Sequence, residues 1–168
     1  MNIKKTALAM TVLAVTTVAG VTAAQGAADP QTTFGWFANR IVGAYQSEAH
    51  VRVCGSPGPD DTVKNTIIFN AGGTVVAIPR FPPQGADNYS RTNDLGTWSY
   101  HPRTNRFSVR LRYDNFMNGT FTGASVVERD LQMSADGNSV YGPVHVTTYA
   151  PDGSVVVEVC GTATSTRL

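Results

Sequence analysis

Cysteine is scarce in this 168-residue sequence: only Cys54 and Cys160 occur, far apart and with no Cys-x-x-Cys between them. His50, His101 and His145 are equally scattered. Neither residue type supplies a sequence-local cluster, so no metal and no cofactor is expected. Also missing are a G-x-S-x-G nucleophile turn, an H-E-x-x-H helix and a glycine-rich phosphate loop. Without them no residue is assigned as catalytic. Neither sign of charge dominates. With 13 basic and 12 acidic residues the chain is close to neutral, so a nucleic-acid partner is not indicated.

Long apolar runs are absent too, with one exception. Ala7 to Val21 is apolar or small and uncharged, is preceded by Lys4 and Lys5, and is followed by small residues at Ala23, Ala24, Gly26, Ala27 and Ala28. That is the pattern of a secretory signal peptide over residues 1–28, too short for a membrane anchor. Val21-Thr22-Ala23 and Gly26-Ala27-Ala28 both suit cleavage. No later run is long enough to span a membrane. Residues 29–168 then make a single domain of about 140 residues, bound for a Gram-negative periplasm or the outside medium.

In an oxidising compartment two cysteines pair by default. Cys54 closes an extended segment that starts at Ala44, and Cys160 closes the last one, Val155 to Val159. A bond between them would bring the first and last strands side by side and close the sheet on itself.

The segments between them alternate with a period of two and end at turn residues. Thr66 to Phe69 and Thr74 to Ile78 flank Asn70-Ala71-Gly72-Gly73, and Gly96 to Tyr100 and Arg106 to Tyr113 flank His101 to Asn105. Asn118-Gly119 leads into Thr120 to Met133, Asp136-Gly137 into Ser139 to Tyr149, and Pro151-Asp152-Gly153 into Val155 to Cys160. Asn-Gly is a strong hairpin signal. Asp29-Pro30 with Phe34, Phe37 and Ile41 predicts a short helix before the first strand. Arg80 to Asp94 shows no periodicity and reads as a long loop, placed to lie over a barrel mouth. The fold class is all-β: an antiparallel up-and-down barrel of about eight strands, closed by one disulfide.

Strand facing decides where chemistry is possible. The Asn118-Gly119 turn would put Arg110 and Arg112 on the same face as Phe121, so a bulge is expected within Asp114 to Met117. The Asp136-Gly137 turn pairs Arg129 with Val144, Val127 with Val146, Ser125 with Thr148, and Glu128 with His145 on the opposite face. Arg129 thus sits among Val127, Leu131 and Met133 and needs either an internal carboxylate or an anionic ligand. Glu158 is its candidate partner if a glycine bulge at the Pro151-Asp152-Gly153 turn points it inward; without that bulge Val155, Val157 and Val159 take the inward places. Trp98, Tyr100, Phe107 and Tyr113, with Arg129 and Glu158, are the candidate ligand-lining residues. Core filling is the competing role for the aromatics.

Phe37 to Tyr45, where Gly43-Ala44-Tyr45 opens the first strand, resembles the lipocalin start, a short helix leading into G-x-W with tyrosine here in place of tryptophan. Cys160-Gly161-Thr162-Ala163-Thr164 with Arg167 beyond, and Arg129 to Gly137, resemble lipocalin-like secreted bacterial proteins. The resemblance implies an eight-stranded barrel with a cavity for a small apolar ligand. Two other functions fit the same layout: a small-barrel cyclase or isomerase, needing Arg129, Glu158, Tyr113 or Tyr149 to converge, and a protein-binding or inhibitor module using the Arg80 to Asp94 loop.

Overall fold

The computed structural model describes residues 35–80 and 88–168. The signal segment, Asp29-Pro30, Phe34 and the middle of the Arg80 to Asp94 loop lie outside the described residues. A five-residue helix, α1 (Gly35–Asn39), precedes nine strands. These are β1 (Gly43–Val53), β2 (Asp61–Phe69), β3 (Thr74–Pro79), β4 (Tyr89–Arg91), β5 (Asp94–His101), β6 (Arg106–Met117), β7 (Thr120–Met133), β8 (Ser139–Tyr149) and β9 (Val155–Arg167). β4 corrects the expectation of a structureless stretch up to Asp94.

Apart from β4, each strand pairs antiparallel with the strands before and after it, and β9 returns to β1. β3 pairs with β5, while β4 takes the far end of β6 that β5 does not reach. The result is a closed antiparallel barrel of eight strands, with β4 and β5 sharing one position. Among the described residues, closure leaves no long unpaired edge. The Cys54–Cys160 disulfide crosses the β1–β9 seam, with the Cα atoms 5.0 Å apart and a sequence separation of 106. A loop of that length corresponds to about 5 kcal/mol in the chain-entropy model.

Turn chemistry fixes the register. Asn118 and Gly119 both hold positive φ (50° and 76°), the left-handed pair that a two-residue hairpin of this kind needs. Met117 therefore pairs with Thr120, and the expected register shift follows between Asn115 and Phe116. Its extra residue, Thr122, lies on β7. The shift aligns Phe107, Val109, Leu111 and Tyr113 with Leu131, Arg129, Val127 and Ser125 on the inner face, and leaves Phe121 half-exposed outside against Phe116.

A second shift decides the orientation of Glu158. The Pro151-Asp152-Gly153 loop has the glycine-bulge form, with Gly153 at φ 86° and its N–H donating to Ala150 O (2.9 Å). Alone, that loop would turn Glu158 inward. Val156 is a further unpaired residue between the Tyr149–Val155 and Thr148–Val157 pairs. The two shifts cancel: Val157 and Val159 face the interior, and Glu158 faces solvent beside Cys160.

The interior divides into two halves. At the helix end, Ile41, Tyr45, Phe69, Val75, Trp98, Phe107, Leu131 and Val140 are almost completely buried. Their rings meet edge-on, Tyr45 to Phe69 at 5.6 Å and Phe69 to Trp98 at 6.4 Å between centroids. Arg167 closes this end: its guanidinium lies 4.8 Å above the Tyr45 ring and donates to the carbonyls of Arg40 (2.6 Å) and Val42 (2.9 Å). At the opposite end the inward positions Val63, Tyr113, Val146, Thr148, Val157 and Val159 are only half-buried, and Val53 is 52% exposed. Among the described residues, side chains plug one end and leave the other open.

Candidate functional site

The six candidate lining residues separate into three groups. Trp98 and Phe107 are buried in the plug, their rings 6.1 Å apart, with Tyr100 at 5.0 Å from Phe107. Trp98 Nε1 donates to Asn70 O at 3.0 Å, and Tyr100 donates to Asn105 at the barrel's end. These three fill the core rather than face an opening. Tyr113 and Arg129 point into the open half. Glu158 is outside, 3.6 Å from His145, so it cannot reach Arg129. Tyr149 faces outward as well, beside Arg112 and Val126 on the outer wall of β6 to β8.

Among the described residues, Asp94 is the carboxylate inside. It stands on the same face of β5 as Gly96 and Trp98, and its side chain is 2% exposed. Arg91 from β4 pairs with it at 3.2 Å and stacks its guanidinium 3.9 Å from the centre of the Tyr113 ring. Burial pushes the Asp94 carboxyl up to about 6, although Arg91 and then Arg129 pull it back down. That alternation along β5 was the available sequence signal for Asp94.

Arg129 crosses the interior from β7 and donates from Nη1 to Ser47 Oγ on β1 at 3.0 Å. Its Nε is buried with no hydrogen-bond partner among the described residues, and no described carboxylate lies within ion-pair distance of it. Burial lowers its pKa to about 10, against the opposing pull of Asp94. Among the described residues, the guanidiniums of Arg91 and Arg129 share the interior with the Asp94 carboxylate. Asn65 Oδ1, on the strand beside Ser47, is also buried and unpartnered.

A chain of neutral groups rims this charged set. Tyr89 donates to Asn115 Oδ1 (2.6 Å), Asn115 Nδ2 donates to Ser125 Oγ (3.0 Å), and Ser125 meets Thr148 (2.9 Å). Beyond it stand the half-buried valines of the mouth. Among the described residues this is an apolar rim over a polar floor in which Arg129 has no carboxylate within ion-pair distance, and burying such a charge without a partner is costly.

A groove of about 620 Å³ on the outer surface of β5 to β9 is electrostatically different. Its charged walls are already matched, Arg110 to Glu128 at 2.6 Å and, at its edge, Arg106 to Asp130 at 2.8 Å. His145 and Cys160 also line it.

Comparison with protein-family models, curated proteins and solved structures finds no match.

Proposed function

We propose that this chain is an exported, lipocalin-like barrel that takes a small, mostly apolar ligand into its open half, with an anionic end of that ligand meeting Arg129. The observation that carries this reading is the buried Arg129 guanidinium, which has a serine for its hydrogen-bond partner and, among the described residues, no carboxylate within ion-pair distance. A ligand carboxylate would supply the missing charge and a bidentate partner, the geometry guanidinium suits best. The half-buried valines Val63, Val146, Val157 and Val159 would cover the ligand's apolar part at about 25 cal/mol per Å² of surface removed from water. Export agrees with the disulfide, and no helix among the described residues is long and apolar enough to cross a membrane.

Native mass spectrometry of the protein purified from its own host tests the reading. A co-purifying small amphiphile, lost when Arg129 is replaced by methionine, is the expected result. If no such mass appears, and neither medium-chain carboxylates nor the corresponding alcohols displace an apolar fluorophore, the reading is wrong. An intact mass beginning between residues 24 and 29 checks export.

A further inference from the structure

The sequence scatters its histidines, yet the fold brings His145 to the cysteine pair. His145 on β8 is directly opposite Cys160 on β9, and Cys160 is opposite Arg52, two residues before Cys54. One ring nitrogen of His145 and the two Sγ atoms all lie within 4.8 Å of one another. All three side chains are on the outer wall, partly open to solvent.

The geometry points to a second, redox-gated use of this corner: once the Cys54–Cys160 bond is reduced, the two thiolates and the His145 imidazole form a site for one Zn²⁺ ion, with water in the fourth position. Tetrahedral zinc takes sulfur at about 2.3 Å and imidazole nitrogen at about 2.0 Å, which places the two sulfurs about 3.8 Å apart. Side-chain rotation alone achieves that separation after the bond opens. The backbone need not move, because ladder hydrogen bonds hold it independently of the sulfurs; Cys54 N–H donates to Glu158 O at 2.9 Å. Ligands from β8, from β9 and from the residue that follows β1 are thus preorganised.

The chemistry balances with a thiol reductant. Two equivalents of a low-molecular-weight thiol, or one protein dithiol, give two electrons and two protons to the disulfide and leave as their own disulfide. Zn²⁺ then displaces the two thiol protons. Reoxidation by a two-electron oxidant restores the bond and expels the ion, so metal and disulfide are mutually exclusive. This proposal is independent of any ligand inside the barrel.

The test is a titration of the full exported protein with Zn²⁺, and with Co²⁺ as a spectroscopic stand-in, before and after reduction by a phosphine. Reduced protein should bind one ion and show the thiolate-to-cobalt charge-transfer band; oxidised protein should do neither. His145→Ala should weaken binding by at least about tenfold, while His50→Ala, far along β1, should not change it. Binding unaffected by reduction, or by loss of His145, would overturn the proposal. If reduction unfolds the barrel, Zn²⁺ should restore its circular dichroism. Failure to restore it would equally overturn the idea.

Discussion

Arg91 and Asp94 form their 3.2 Å ion pair inside the barrel although they are three residues apart along an extended chain. In an unbroken strand that spacing sends side chains to opposite faces. The break between β4 and β5 resolves the conflict. Thr92 anchors it, donating its N–H to Asp114 O and accepting Asp114 N–H at Oγ1, both at 3.0 Å. The kink turns both side chains inward, so a charged floor is built where the sequence pattern loses its period.

Acid should stabilise this barrel through Asp94. Its folded pKa of about 6 lies above the ordinary 3.8. The folded state therefore binds the proton more tightly than the unfolded chain. This contribution is complete below about pH 4 and is lost as pH rises through about 6; its size is on the order of 3 kcal/mol. Urea unfolding across that range should show it, and Asp94→Asn should flatten that part of the profile. A wild-type profile with no Asp94-dependent slope would contradict the assignment.

Arg129→Met should stabilise the empty barrel while removing ligand capture. Exchanging an incompletely paired buried charge for an apolar side chain of similar length is often favourable by about 1–4 kcal/mol. Ser47 loses a hydrogen bond worth about 1 kcal/mol, which offsets part of the gain. Chemical denaturation of the ligand-free variant measures the net effect. A clear loss of stability would mean that Arg129 is structural.

How much of this was legible in the sequence depends on the scale of the feature. The barrel, its closing disulfide and the pairings of Arg129 with Val144 and Glu128 with His145 follow from turn residues and the two-residue period. The orientation of Glu158 does not, because Val156 is one valine in a run of three and nothing local says which of them bulges. Facing has period two, so one unpaired residue inverts it completely. Trp98 and Phe107 were recognisable as inward but not as plug, since which end closes depends on Arg167 reaching back to the Tyr45 ring and to the Arg40 and Val42 carbonyls between α1 and β1.

Gly142 and Gly96 should resist any side chain. A Cβ at Gly142 would fall inside contact distance of the Asp130 carbonyl, and one at Gly96 would meet that of Arg110. In both cases the obstacle is backbone of the neighbouring strand, which cannot rotate away. Alanine at either position should cost at least about 2 kcal/mol, in the range of core overpacking. Gly58→Ala, in an open loop with Ser56 Oγ at 3.4 Å, should stay within about 0.5 kcal/mol. Thermal melts of the three variants give the comparison.

Glu158→Gln should be almost silent in the oxidised protein. The Glu158 and His145 side chains are 52% and 40% exposed and 3.6 Å apart. An ion pair in that setting contributes at most about 1 kcal/mol, less in salt and less again when the histidine is neutral. The substitution should therefore shift neither the urea midpoint nor capture of an anionic amphiphile. A barrel with Glu158 turned inward would behave in the opposite way. Neutralising the only carboxylate beside Arg129 would then raise affinity for anions and alter stability strongly. The same pair of measurements on Glu158→Gln and Asp94→Asn therefore reads out which carboxylate is inside.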